Sequence, residues 1–197
     1  MKLYDISQEV FSCAVYPGDP APKREVLKSL EGGDAYNLTA FSMCAHNGTH
    51  IDAPKHFING GKAVDEMSPE QTVGLAYVTH FNGILTRADA VELLKKAKEA
   101  SVEAQKRLLI GGDAVISLEA AKVFASSDIL LIGNDSQTVG PPDAPMEVHK
   151  VLLGKGIALL EGLRLDGVED GVYMLFAAPV NLAGADGAPC RAILAKM

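Results

Sequence analysis

The chain has 197 residues, 48% of them hydrophobic and 22% charged, with a formal net charge of −7. That length suits one domain with a substantial core, and the acidic balance leaves no footprint for nucleic acid or an anionic membrane. No apolar run approaches the roughly 18 residues that a membrane-spanning helix needs. Met1-Lys-Leu-Tyr-Asp5 lacks the charged-then-apolar pattern of a secretory signal, and Cys13, Cys44 and Cys190 contain no C-x-x-C pair. Free thiols in a reducing cytoplasm are therefore expected.

In chain order, Pro17-Gly-Asp-Pro-Ala-Pro22 reads as a turn-rich loop and Glu31-Gly-Gly-Asp34 as a second break. Residues 37–45 are expected as a strand that feeds a histidine-rich segment. Ser68-Pro-Glu-Gln71 has the form of a capped helix start, Ser as cap, Pro in the first position and Gln reaching back. That turn must be short, because the apolar run Val73–Val78 reads as a strand. Thr86-Arg-Ala-Asp89 opens a helix predicted to run to about Arg107, rich in Ala, Leu, Lys and Glu. Ser117 caps a second helix through Ala125, followed by a buried strand at Ile129–Ile132. A third helix spans Met146–Leu153 and stops at Gly154, after which an apolar run from Gly156 to Leu160 leads into Glu161. Val172–Ala178 and Ala192–Ala195 complete the expected strands. Strands and helices intermix, which places the chain in the α/β or α+β class.

The segment from His46 to His56 holds three of the five histidines and one carboxylate, and His46, His50, Asp52 and His56 all sit at even positions. In an extended chain alternate side chains leave on one face, so all four can look into one site. A helix would pair His46 with His50 but swing Asp52 and His56 away. Gly48, Thr49, Ile51 and Pro54 also disfavour a helix. A straight strand would hold His46 and His50 roughly 13 Å apart at the backbone, so Gly48 is predicted to mark a bend. Three imidazoles and a carboxylate on one face read as a metal site. The spacing is not that of a helical zinc protease, because Asn47 stands where that motif carries a glutamate.

Downstream, Glu161 ends an apolar strand. A carboxylate there either meets water or is buried with a cation. His149 by itself reads as a solvated histidine beside Lys150. His80, at the end of a strand with no matching partner, reads as structural. Asp135 and Ser136 either line a pocket or form a turn, and Arg191 holds either the last strand or a substrate carboxylate.

The segment H-N-G-T-H-I-D-A-P-K-H resembles the H-x-G-T-H-x-D-x-P-x-H signature of the cyclase superfamily, which includes bacterial kynurenine formamidase and isatin hydrolase. Tyr4-Asp-Ile-Ser7 and Tyr16-Pro-Gly-Asp19 are similar to its D-L-S and W/Y-P-G-D segments. Ile132-Gly-Asn-Asp-Ser136 is similar to I-G-x-D-x-x-S, and Asp186-Gly-Ala-Pro-Cys-Arg191 to D-G-x-P-x-R. His149-Lys-Val-Leu-Leu and Leu160-Glu-Gly-Leu resemble the family's H-x-x-L-L and E-x-L pieces.

The resemblance implies an α/β, single-domain cyclase-like fold over residues 1–197, with a mixed β core of the swivelling β/β/α type and outer helices. It also implies one divalent ion on His46, His50 and Asp52, and a second on His149 and Glu161, with Asp52 bridging. His56 becomes the general acid/base, and Tyr16 an aromatic residue against the substrate. Zinc is expected first, two ions per subunit, and manganese is the competitor, because imidazole and carboxylate ligands without a thiolate suit both. By the same resemblance the chain is a metal-dependent hydrolase that cleaves a carbonyl–nitrogen bond by metal-bound hydroxide, with N-formylkynurenine the leading substrate. Opening of a cyclic amide, as by isatin hydrolase, is the nearest alternative, and a non-catalytic metal-binding member is a further one. Two departures bear on the substrate: the chain has no tryptophan, and Leu108-Leu-Ile-Gly-Gly-Asp113 lacks the R-T-G-like segment of many relatives. A homodimer or larger homo-oligomer is implied as well.

Overall fold

The computed structural model describes residues 1–196. In chain order the strands are β1 (Lys2–Asp5), β2 (Lys23–Lys28), β3 (Leu38–Ser42), β4 (His50–Asp52), β5 (Val73–His80), β6 (Gly83–Leu85) and β7 (Arg107–Gly111). They continue as β8 (Ala114–Ile116), β9 (Leu131–Asn134), β10 (Ala158–Glu161), β11 (Gly171–Phe176), β12 (Gly187–Pro189) and β13 (Ile193–Lys196). The helices are α1 (Pro69–Thr72), α2 (Arg87–Ala100), α3 (Leu118–Ala125) and α4 (Met146–Leu153). Nine strands form one mixed sheet in the order β1-β13-β11-β5-β7-β9-β10-β4-β12, while β2 with β3 and β6 with β8 form two small ribbons.

The centre of the sheet, β5-β7-β9-β10, is parallel, and the remaining pairings are antiparallel. Leu108, Ile110, Ile132 and Leu159 turn to one face and pack with Leu93 of α2, Phe124 of α3 and Leu152 of α4. Leu109, Leu131 and Leu160 turn to the other face. There the curled sheet brings Ile51, Tyr173 and Leu194 against them. The mixed β core with helices packed outside it is thus the expected one.

Capping residues set several boundaries where the sequence places them. Thr86 Oγ1 accepts from Asp89 N at 3.4 Å and opens α2, and Ser117 Oγ accepts from Ala120 N at 3.2 Å and opens α3. The predicted continuation of α2 to Arg107 does not occur. The helix stops at Ala100, Ser101 is extended (φ −168°), and Arg107 begins β7. That strand is buried on both faces, so it reads as an unbroken apolar run without the alternation that marks a half-buried strand. The strand expected at 37–45 ends at Ser42 and pairs only with β2, and that expected at 129–132 is shifted to Leu131–Asn134.

Arg107 is a buried cation, 3% exposed. Its guanidinium donates to the carbonyls of Glu70 and Leu75 and lies 3.7 Å from Glu103. A Cβ on Gly74 (φ +148°) would stand 2.6 Å from Arg107 Cζ, so glycine there makes room for the group. Replacing Arg107 by alanine removes a buried cation together with its bonds to two part-buried carbonyls and is expected to lower stability by about 2–4 kcal/mol, measurable by urea unfolding.

Candidate metal centre

The histidine segment bends where glycine was expected to bend it. Gly48 has φ +66°, a backbone conformation that glycine adopts without strain, and a Cβ there would stand 3.0 Å from Cys13 Cβ. Asn47 Oδ1 accepts from Cys44 N at 2.8 Å and closes the turn. The Thr49 hydroxyl donates to Gly162 O at 2.6 Å, which locks the segment beside the end of β10. Only His50 and Asp52 lie on a strand, where alternation puts both on one face. The expected extended run through all four positions is therefore corrected. His46 comes from the preceding turn and His56 from the 3-10 turn Pro54–His56, and the four side chains converge even so.

Strand β4 lies between β10 and β12, with His50 opposite Glu161 and Asp52 opposite Gly187. Helix α4 brings His149 to the same point. Asp52 sits at the middle. Its Oδ1 is 2.7 Å from His46 Nδ1 and 3.3 Å from His50 Nε2, and its Oδ2 is 3.6 Å from His149 Nε2 and 4.0 Å from His56 Nε2. Glu161 closes the ring, with Oε2 3.5 Å from His50 Nε2 and Oε1 3.2 Å from His149 Nε2. His50, Asp52, His149 and Glu161 are all buried, which excludes the solvated alternatives for His149 and Glu161.

The rings are held in definite orientations. His50 Nδ1–H donates to Gly48 O and His149 Nδ1–H to Pro145 O, both at 2.9 Å, so both Nε2 atoms face Asp52 and Glu161, free to carry a proton or to turn a lone pair to a cation. Two groups result, His46 with His50 and Asp52, and Asp52 with His149 and Glu161. In each, the donor atoms lie within 4.8 Å of one another. The fit to a cation is tested by Asp52 Oδ2, a buried carboxylate oxygen with no hydrogen-bond partner. An anionic oxygen without a partner in a buried site is costly, and a cation shared by the two groups satisfies it.

Electrostatics agree with that geometry. Burial opposes a charged His50, but Asp52 and Glu161 outweigh it and push its pKa up to about 10. His46 and His149 are raised in the same way, by Asp52 with Asp186 and by Glu161 with Asp52 respectively, again against burial. His46 and His50 hold Asp52 well below the usual carboxylate range despite its burial. His56 moves the other way: burial lowers it, His46 adds to the effect, and the nearby carboxylates offset only part.

The cluster forms the floor of a cavity of about 400 Å³, walled by Tyr16, Cys44, Phe57, Gln137 and Thr138. Tyr16 lines it and donates its hydroxyl to Pro142 O at 3.2 Å. Gln137 and Thr138 were not singled out in the sequence; Gln137 Oε1 and Thr138 Oγ1 are buried there without partners. Asp186 was also missed as a site residue. Its Oδ2 lies 2.9 Å from His46 Nε2 and 3.1 Å from His56 Nδ1. No spacing rule links a loop aspartate to histidines some 130 residues earlier in the chain.

The remaining candidates lie elsewhere. Asp135 accepts from Gly112 N and Leu165 N, and Ser136 Oγ accepts from Thr138 N, so both organise turns. Arg191 binds Asp5 at 2.6 Å and joins the two chain ends. His80 is structural, as expected, but it does have a partner, Asp170, 2.7 Å from its Nδ1. Burial would lower the His80 pKa, and Asp170 outweighs it, so the folded state holds the proton more tightly. This contribution is complete below the ordinary imidazole range and fades as pH rises through the raised folded value. Denaturation midpoints between about pH 6 and 8.5 should fall with rising pH less steeply in Asp170→Asn than in the parent chain.

A family profile described as "Putative cyclase" matches residues 4–141, well over half the chain and inclusive of the His46–His56 segment. The chain belongs to the cyclase family. It is 34% identical over 204 residues to kynurenine formamidase of Bacillus cytotoxicus, covering 96% of this chain and 95% of that relative. The corresponding enzyme of Salinibacter ruber is 33% identical over 210 residues, covering 98% and 97%. Among solved structures, a "predicted metal-dependent hydrolase from Bacillus stearothermophilus" superposes with a TM-score of 0.77 at 26% identity, covering 98% of this chain and 97% of that one. Isatin hydrolase A from Labrenzia aggregata shares the fold, with a TM-score of 0.81 at 20% identity, covering 98% and 93%.

Proposed function

We propose that this cyclase-family chain is a metal-dependent amidohydrolase, acting as one domain over residues 1–197, whose substrate is an aryl formamide such as N-formylkynurenine. The observation that carries the proposal is Asp52, a buried carboxylate with an unpartnered oxygen, standing between two groups of imidazole and carboxylate donors. His46, His50 and Asp52 would hold one divalent ion, and Asp52, His149 and Glu161 a second. Zinc is the first choice and manganese the competitor. Bound there, such an ion acts as a Lewis acid toward a carbonyl and lowers the pKa of water to the neutral range.

The residues of the chain supply the rest. His56 is within reach of the cluster through Nε2 and holds its Nδ1–H on Asp186, so Nε2 can take the proton of the attacking water. The same nitrogen then delivers that proton to the departing aryl amine as the carbonyl–nitrogen bond breaks, leaving formate and the free amine. Tyr16 and Phe57 offer aromatic surface to the ring of the substrate. Gln137 and Thr138 line the same cavity and would give the substrate a polar wall. Tyr16 would take the place of the tryptophan contact that the chain lacks.

A homodimer or larger homo-oligomer belongs to this proposal. The ribbon β2–β3 exposes Val26, Leu27, Leu38 and Phe41, and a two-stranded ribbon is marginal without cover, which a second copy would provide. The three free cysteines suit a reducing cytoplasm. Among the described residues no helix is long and apolar enough to cross a membrane. The test is elemental analysis of protein purified without chelator, with hydrolysis assays on N-formylkynurenine, formanilide and isatin. Bound metal with turnover of the formamides is expected. Isatin turnover alone would replace the substrate, and protein without metal would end the proposal.

A further inference from the structure

We propose that Asp186 is a positioning residue, a single carboxylate oxygen that sets the proton of both His56 and His46 and aims both rings at Asp52. The inference rests on the roles proposed above for those two histidines. Asp186 Oδ2 lies 3.1 Å from His56 Nδ1 and 2.9 Å from His46 Nε2. The two rings stack with centroids 4.0 Å apart and an angle of 29° between their planes. A carboxylate only accepts, so a neutral His56 beside it carries its proton on Nδ1; His46 stands between two carboxylates, and a cation at Nδ1 leaves its proton on Nε2, toward Asp186. The nitrogens on the far side of the rings are His56 Nε2, 4.0 Å from Asp52 Oδ2, and His46 Nδ1, 2.7 Å from Asp52 Oδ1. Both point to the place where cation and reacting atoms belong. A carboxylate behind an imidazole in this manner fixes its tautomer and orientation.

The loop that presents Asp186 is tied to the histidine segment from several sides. Ala53 N donates to Asp186 O at 2.9 Å, and Gly187 pairs with Asp52 across β12 and β4. Lys55 Nζ donates to Gly184 O, and Gly184 N to Asp65 Oδ1. A Cβ on Gly187 would stand 2.7 Å from His46 Cε1 and 2.7 Å from Ile51 O, so the His46 ring rests directly on the strand that follows Asp186. Among the described residues, the ion pairs of Asp186 are to these two histidines and to no lysine or arginine. Its half-exposed carboxylate is therefore directed at the rings and is not a surface counter-ion.

The first test is made on metal-free protein labelled with ¹⁵N in histidine, by long-range ¹H–¹⁵N spectra of the imidazoles. His56 is expected as its Nδ1–H form in the parent chain and as its Nε2–H form in Asp186→Ala. In metal-loaded enzyme, Asp186→Ala should lower kcat about 10–100-fold while KM stays within about threefold. Added to His56→Ala, it should lower kcat by clearly less than it does in the parent enzyme, because its action through His56 is already gone and only that through His46 remains. Asp186→Glu should recover part of the rate. An unchanged His56 tautomer in Asp186→Ala, additive losses in the double variant, or loss of one metal equivalent with the tautomer unchanged would each overturn the proposal. Parent enzyme that hydrolyses none of the amides, but whose His56 tautomer still follows Asp186, would remove the proposed reaction and leave the positioning role standing.

Discussion

Asp52→Asn is expected to lower kcat/KM by about 10³-fold and to leave at most one metal equivalent per chain. The substitution keeps the size of a buried side chain, so packing around Ile51 and Leu160 is not its target. It changes what the two terminal atoms can do. Asp52 Oδ1 faces His46 Nδ1 and His50 Nε2, and Oδ2 faces His149 Nε2 and His56 Nε2. An amide places an NH₂ donor toward one of those pairs and removes the negative charge that both need to offset a cation. Because Asp52 belongs to both donor groups, the substitution weakens both sites, and at least one ion is lost. The measurement is elemental analysis beside steady-state kinetics on a formamide substrate. Two retained metal equivalents with kcat/KM within about tenfold of the parent would show that Asp52 does not bridge.

His56→Ala is the second large effect, about 10²–10⁴-fold in kcat with the metal content unchanged. The geometry separates His56 from the other donors. His46, His50 and His149 each lie within 3.6 Å of an Asp52 oxygen, whereas His56 Nε2 is 4.0 Å away, is less buried and belongs to neither group around Asp52. It groups instead with His46 and Asp186, all three of them lining the cavity that would receive the substrate. A proton shuttle there accounts for a loss in kcat without a loss of metal. An unchanged rate with metal retained would remove the shuttle. Metal lost together with activity would make His56 a ligand.

Other parts of the structure show why some features were legible in the sequence and others were not. The limits of α4 and the start of α3 follow from cues within a few residues of each end, Ser117 before one helix and Gly154 after the other. Strand β7 was hidden for a local reason as well. A strand buried on both faces has no polar alternation, so Leu108 through Ile110 carry no strand signal and Arg107 reads as the end of the preceding helix. The ribbon β2–β3 was half visible: its second strand was predicted, but its detachment from the main sheet depends on pairing partners that no short window contains.

The sequence by itself determined which donors the His46–His56 segment carries, the alternation that pairs His50 with Asp52 and the bend at Gly48, because these are properties of neighbouring residues; the turns that bring in His46 and His56 were not read from it. His149 and Glu161 were legible only through resemblance, since on their own residues both had ordinary solvated explanations. Tertiary structure decided the rest. It placed β4 between β10 and β12, which sets Glu161 against His50 and brings Asp186 behind the imidazoles. It also left Asp52 Oδ2 buried without a partner. Strand register joins residues more than a hundred positions apart, and the energy that selects it is spread over the whole sheet rather than written at either residue.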